Sequence, residues 1–328
     1  MTRVYNALIA IHSLYIVLVT LFSVHAFSSP TALLYSLATA PNNWTVSLRS
    51  IGYQDDLTKF YRIIYQTNPT GLGASFAAGF YCVNPCTIYL FSVFIFEVDD
   101  TGGIVTSSPT KVVWSANRSN PVSENATLLL TSDGGLSLHD SDGTLVWFTN
   151  VSDHSVSGIN ITESGNLVLF DQNKSIIWQS FDHPTDTLLM GQKLTVGASL
   201  TANVSLTNWS EGQVHLTVVS NGLRAFADSN HKQLYIDCNI LQNITENNSD
   251  YQLEFTNGSL SFSNYNDPTG RITLPNARSD SIQFIRLEYK GAMMWWNARS
   301  FAYGIAVAKL LCIPLPMGVV TCQQRSLL

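Results

Sequence analysis

The sequence predicts an all-β protein whose first part is a pseudo-threefold repeat and whose second part is a further β segment. Three observations predict it. Between residues 53 and 184 no stretch has the period of a long amphipathic helix; short apolar runs are instead punctuated by Gly, Asp, Asn and Ser about every ten residues; and a strand-turn-strand unit recurs, ending each time in tryptophan. At 328 residues the chain is long enough for two core-bearing units of about 150 residues each.

The candidate strands, in order, are TIYLFSVFIFEV (87–98), KVVWSAN (111–117), ATLLL (126–130), GLSLHD (135–140), TLVWFTN (144–150), NLVLFD (166–171) and SIIWQSF (175–181). Alternation in GLSLHD and NLVLFD implies strands with one buried face. The connectors SDGG, DSDG and ESG supply turn chemistry, with Gly available for positive φ. This is the punctuation of a sandwich or barrel. The run Gly134-Gly135-Leu136-Ser137-Leu138-His139-Asp140, followed by Leu145-Val146-Trp147, matches Gly165-Asn166-Leu167-Val168-Leu169-Phe170-Asp171, followed by Ile176-Ile177-Trp178, at an offset of 31. Trp114 lies 33 residues before Trp147. One such unit cannot bury its own apolar face, so three are expected to meet with their tryptophans near a shared axis. Three unrelated core aromatics are the simpler alternative.

Composition argues against one class of function. Only 12% of residues are charged, against roughly 25% in an average soluble protein; 64 Ser and Thr and 25 Asn supply the polarity instead. The net charge of −6 and the lack of any basic run argue against a nucleic-acid partner, which needs clustered Lys and Arg.

The N-terminus has the layout of a secretory signal peptide. Arg3 precedes an apolar run from Ala7 to Val24, and Val24-His25-Ala26 predicts cleavage after Ala26; an uncleaved anchor is the competing reading. Eleven N-x-S/T sequons, at Asn43, Asn117, Asn125, Asn150, Asn160, Asn173, Asn203, Asn208, Asn243, Asn247 and Asn257, are about twice the roughly five expected by chance. They favour a glycosylated extracellular surface. Five cysteines leave one free or bonded between chains. Cys82 and Cys86, enclosing Val-Asn-Pro, suit a local disulfide at a turn better than a metal site or free thiols, and Cys312 with Cys322 is the next candidate pair.

KVVWSANRSNPV, SDGGLSLHDSDGTLVWFTN and SGNLVLFDQNKSIIWQSFDHPTDTLL, in that order and spacing, closely resemble the bulb-type, mannose-binding lectin module of plant S-domain receptor-like kinases and epidermis-specific secreted glycoproteins. The resemblance covers residues 60–195 well and continues more weakly to residue 291. It implies a plant source and a β-prism (β-prism II) of three four-stranded sheets, followed by a second lectin-like β domain. The resulting plan is a signal peptide (1–26), an N-terminal extension (27–59), a bulb-type lectin domain (60–182), a second β domain (183–290) and a divergent tail (291–328). Mannose-binding members of the family carry Q-x-D-x-N-x-V-x-Y. The first copy here reads Thr131, Asp133, Gly135, Ser137 and His139, keeping only the Asp; the second reads Thr162, Ser164, Asn166, Val168 and Phe170, keeping Asn and Val, with Phe for Tyr. The resemblance therefore nominates Asp133, Asn166, Val168 and Phe170 as a degenerate carbohydrate site, with a glycan on Asn160 expected beside the second copy.

Kinase signatures are absent, as are the G-x-S-x-G elbow, H-E-x-x-H and a phosphate loop. Gly71-Leu72-Gly73 has Phe76 where a dinucleotide fingerprint needs Gly. Asp140-Ser141-Asp142-Gly143 opens like a calcium loop, but its twelfth position is Val151, so a hairpin turn explains it better. Asp55-Asp56 and Asp99-Asp100 are adjacent pairs, whereas glycosidase carboxylates come from separate elements. His183 sits in a corner, FDHPTD, where a structural role is expected over a metal or pH role. The apolar run 301–322, broken by Lys309, Pro314 and Pro316, makes a poor membrane helix. No cofactor or metal is expected. The leading expectation is a secreted, non-enzymatic lectin-like glycoprotein recognising glycans or cell-wall polysaccharide. The alternatives are a kinase-less ectodomain fragment or decoy that pairs with related receptor ectodomains, and an extracellular hydrolase.

Overall fold

Adjacent antiparallel strands with one apolar face need a partner for that face, and this chain supplies it by closing sheets in threes. The computed structural model describes residues 37–46, 53–54, 59–67, 73–83, 86–99, 105, 110–151, 153–228, 232–239, 251–256, 258–263, 270–273, 282–298, 307–312 and 320–321. The expected signal peptide, Asp55-Asp56, Gly71-Leu72, Asp100, Cys322 and the sequons at Asn243, Asn247 and Asn257 lie outside them. Among the described residues there are 26 strands and one 3-10 turn, and no helix is long and apolar enough to cross a membrane.

The first thirteen strands form three sheets. One runs β1 (Leu37–Thr39), β11 (Gly158–Ile161), β12 (Leu167–Phe170), β13 (Ile176–Gln179). The second runs β10 (Leu145–Phe148), β9 (Gly135–His139), β8 (Thr127–Thr131), β2 (Asn42–Thr45). The third has five strands rather than four: β3 (Tyr53–Gln54), β4 (Lys59–Gln66), β5 (Gly73–Val83), β6 (Leu90–Val98) and β7 (Lys111–Ser115). β1 and β2 come from the segment expected to be an extension. As edge strands they depend on backbone bonds to β11 and β8, so they need little apolar pattern of their own.

At the centre of the prism, the rings of Trp114, Trp147 and Trp178 lie 5.9, 6.0 and 5.8 Å apart, with interplanar angles of 71°, 68° and 74°. These near-equal triangle sides are the expected pseudo-threefold axis. The device that aims each ring is the same in every sheet. Pairing slips by one residue immediately before the tryptophan, leaving Val113, Val146 and Ile177 as bulges, and then Trp114 opposes Val93, Trp147 opposes Leu138 and Trp178 opposes Leu169. A bulge adds one residue to one strand and re-aims the next side chain. Edge-to-face contact of this kind adds about 0.5–1.5 kcal/mol per pair beyond burial. The indole N–H of Trp114 donates to the carbonyl of His183 at 2.8 Å, and the His183 ring stacks on Trp178 at 5.4 Å. His183 thus caps the axis, the structural role expected of it.

Continuous burial of β6 comes from cores on both of its faces. Phe91, Val93 and Ile95 join the prism core, while Phe94, Phe96 and Val98 pack with Tyr81 and Trp209 in a second cluster. In the β8–β9 turn Gly135 takes φ +71°, and a Cβ there would fall 2.4 Å from a Val151 methyl, so only glycine fits. The DSDG segment is a hairpin: Gly143 N–H donates to Asp140 O, and Asp140 N–H donates to Thr144 O. The Asp140 carboxyl is held below its usual range chiefly by the Ser123 hydroxyl, and that of Asp142 by the Thr144 amide.

Three more sheets follow, again of four, four and five strands. They are β14 (Thr187–Leu189), β23 (Ile282–Leu287), β24 (Met293–Ala298), β25 (Val307–Cys312); then β15 (Lys193–Thr195), β20 (Gln252–Thr256), β21 (Ser259–Ser263), β22 (Gly270–Thr273); then β16 (Ser199–Asn203), β17 (Glu211–Val219), β18 (Gly222–Asp228), β19 (Lys232–Asn239), β26 (Val320–Thr321). They share one core, in which Leu188, Leu216, Phe255, Phe262, Leu287 and Trp295 are buried. The segment expected to be a divergent tail supplies β24, β25 and β26 to these sheets. Both sets of sheets belong to the same compact unit, Leu34–Leu328.

Two arginines join the sets. Arg118, 8% exposed, donates to Thr201 O at 2.7 Å and pairs with Glu211 at 3.2 Å. Arg286 donates to Val112 O and to Thr187 Oγ1, and lies 3.6 Å from Asp186. Cys82 and Cys86 form the expected disulfide. Buried Cys238 is disulfide-bonded as well. The expected Cys312–Cys322 pair involves Cys322, which lies outside the described residues.

Trp178→Ala should cost about 3–5 kcal/mol, because it removes a buried indole on which the other two rings and His183 pack. Urea denaturation followed by tryptophan fluorescence checks this; a loss below about 1 kcal/mol would contradict the axis as the organising contact.

Candidate functional site

The two motif copies lie on different sheets, so the nominated residues are not brought together. Asn166, Val168 and Phe170 belong to the β11–β12 turn and β12; Asp133 sits in the β8–β9 turn. The second copy is closed. Asn166 Nδ2 donates to Gln179 Oε1 at 2.8 Å, while its Oδ1 accepts from Ser180 Oγ and the Phe181 amide, each at 3.2 Å. Both ends of that amide are therefore engaged in holding β12 to β13 and the 3-10 turn Ser180–Asp182. Val168 and Phe170 are 4% and 5% exposed. The Lys174 ammonium covers the Phe170 ring at 4.2 Å, and the ring lies across Gly158, where a Cβ would meet it at 2.7 Å. Thr162 and Ser164 hydrogen-bond each other at 2.9 Å.

The first copy is open. Strand register aligns two rows across the outer face of its sheet: Asn43, Leu129, Ser137, Phe148 and Thr45, Thr127, His139, Leu145. Directly opposed residues point to the same side of a sheet. Leu145 and Phe148 would ordinarily face opposite ways; the Val146 bulge that turns Trp147 inward puts both of them outward, each 50% exposed. Ser137 Oγ and His139 Nε2 are 3.1 Å apart, and His139 Nδ1 is 3.3 Å from Gly143 O. Asp133 is exposed at the end of this face. The result is a shallow surface with hydroxyl, imidazole and carboxylate groups beside an exposed aromatic ring. Phe148 and Leu145 escaped the sequence reading; the clue was the bulge, detectable only as the one-residue mismatch between TLVW and the alternation of a regular strand.

The sequons divide by environment. Asn43, Asn125, Asn150, Asn173 and Asn208 are exposed, and Asn160 and Asn203 are half-buried. Asn117 is 4% exposed; its Nδ2 donates to Tyr89 O and Asn120 O and its Oδ1 accepts from the Phe91 amide. Those bonds make Asn117 a structural residue with no room for a glycan. Among the described residues no group of three or more His, Cys, Asp or Glu could hold a metal ion.

Residues 111–210 match the family D-mannose binding lectin. The chain is 36% identical over 216 residues to the epidermis-specific secreted glycoprotein EP1 of Daucus carota, covering 60% of this chain and 54% of that one. It is 38% identical over 170 residues to EP1-like glycoprotein 2 of Arabidopsis thaliana (51% and 36%). To a G-type lectin S-receptor-like serine/threonine-protein kinase of the same plant it is 40% identical over 134 residues (40% and 14%). The chain thus spans between about a seventh and about half of the length of these relatives.

Asn166→Ala should destabilise the fold by about 1–3 kcal/mol for each buried partner left unsatisfied, in keeping with a structural role. Chemical denaturation reads this out; a fully stable variant that had lost only ligand binding would return Asn166 to the binding site.

Proposed function

We propose that this chain, which carries a bulb-type lectin domain over residues 111–210, is a secreted, non-enzymatic lectin-like glycoprotein. It recognises glycan or cell-wall polysaccharide on the outer face of β8, β9 and β10. The observation that carries the reading is that face itself: the first motif copy lies open beside exposed Phe148. Aromatic rings pack against the apolar C–H faces of sugar rings, while hydroxyl, imidazole and carboxylate groups meet the sugar hydroxyls. The secreted relatives support an extracellular location.

A second reading is favoured by the apolar part of the same face. Leu145 and Phe148, each half exposed, suit protein contact, and the chain would then act by association with related receptor ectodomains.

A glycan array probed with the secreted chain, trimmed of its own N-glycans, separates the two. Mannose-terminated glycans and cell-wall oligosaccharides should give specific binding, which Asp133→Ala or His139→Ala weakens by about 5–10-fold, the effect of losing about one hydrogen bond. Silence across the array, together with co-elution with a related receptor ectodomain on size exclusion, would put protein association in its place.

A further inference from the structure

A cavity of about 390 Å³ opens between the third prism sheet and the second set of sheets, within the range of about 300–1,000 Å³ typical of ligand sites. Its walls combine half-buried aromatic rings, Trp209 and Tyr289, with polar groups on Asn203, Asp186, Arg286 and Glu288. Most of these polar groups are already engaged. Asp186 accepts from Thr187 Oγ1 and from Asn203 Nδ2 and sits beside Arg286; Arg286 also holds Val112 and Thr187. Glu288 differs: among the described residues its carboxyl makes no hydrogen bond, although its backbone closes the turn to Ala292. An acceptor-only group lining a cavity beside aromatic rings calls for a ligand that brings hydroxyl donors and an apolar face.

We propose that this cleft is a second carbohydrate site, distinct from the open prism face, and that it takes a neutral saccharide. A vicinal diol would donate to the Glu288 carboxylate while a sugar ring lies against Trp209. Neutrality follows from charge: Arg286 is committed to Asp186 and the Lys111 ammonium lies over the Trp296 ring, so an acidic sugar would meet Glu288 with both of these cations already engaged. The inference rests on the reading of the chain as a carbohydrate-binding protein, and deepens it by naming a site and a ligand class.

Burial raises the Glu288 carboxyl above its ordinary value, opposed by Arg286 and Lys111 and reinforced by Asp186. Ionised Glu288 therefore costs stability in the ligand-free protein. That cost is absent below about 4.5, the ordinary carboxyl value, and grows as pH rises towards the raised native value. Glu288→Gln should accordingly melt at a higher temperature than the wild type at pH 7, with the difference shrinking below pH 4.5. A variant with that behaviour is folded, and its ligand binding can be interpreted.

The test is calorimetric titration of the full secreted chain, trimmed of N-glycans, with mannotriose, cellohexaose and xylohexaose, and with trigalacturonate as the acidic probe. A neutral probe should still bind Phe148→Ala, in which the prism face is disabled; in that background Glu288→Gln should weaken it at least tenfold, and Trp209→Ala should weaken it further. Asp153→Asn, an exposed turn residue, should leave it unchanged. Affinity should fall as pH drops through the Glu288 transition in the wild type but not in Glu288→Gln. Binding that survives Glu288→Gln and is lost in Phe148→Ala would overturn the cleft and leave the lectin reading standing. Preference for trigalacturonate would overturn the neutral-ligand assignment. A wild-type chain that binds none of the four probes would overturn the lectin reading, and the cleft with it.

Discussion

Three indole rings within about 6 Å of one another are the contact on which the rest of this molecule depends. Among the described residues no helix covers the inner apolar faces of the prism sheets, so the sheets bury those faces against one another. The tryptophans fill the line where they meet, and they can do so because a one-residue bulge precedes each. A regular strand would alternate past the axis. The repeat is therefore a repeat of an irregularity as much as of a strand.

The same irregularity shapes the surface. In β10 the bulge that sends Trp147 inward leaves Leu145 and Phe148 facing out together, creating the aromatic side of the candidate lectin face. Core packing and surface chemistry are thus set by one extra residue. In β12 the equivalent face is closed by Phe170 lying over Gly158 and beneath Lys174, so two copies of one motif have come to serve different ends, one structural and one open to solvent.

The junction between the two sets of sheets is built from polar groups at least as much as apolar ones. Arg118 from the WSANR segment reaches Thr201 and Glu211, and Arg286 reaches back to Val112. Truncating Arg286 would leave buried Asp186 without its cationic partner, a more severe defect than never having had the pair. Trp209 and Tyr81 close the apolar side of the junction. What remains between these contacts is the cleft, and its lining is mixed because the contacts around it are mixed.

The sequence by itself determined the all-β class, the three tryptophans at a common spacing, the turn glycines, the local Cys82–Cys86 bridge and the lectin resemblance. These are legible because each depends on neighbours in the chain: alternation, a turn that needs positive φ, a loop short enough to bridge. Tertiary structure alone decided that residues 37–45 supply edge strands, that strands from residues 293–321 complete the second set of sheets, that Asn117 and Asn166 are engaged in holding the backbone, and that Cys238 is bonded. The edge strands and the second set of sheets turn on which strand lies alongside another far away in the chain, whereas Asn166 is engaged by Gln179, Ser180 and Phe181, neighbours across a single hairpin. A short edge strand carries no apolar signature, and a buried asparagine has the same letter as an exposed one. The site divides in the same way: the motif residues were readable, but which copy stays open follows from the Val146 bulge in one sheet and from the contacts of Phe170 and Asn166 in the other, and what lines the cleft follows from packing between segments far apart in the chain, as in the bond from Arg286 to Val112 across 174 residues.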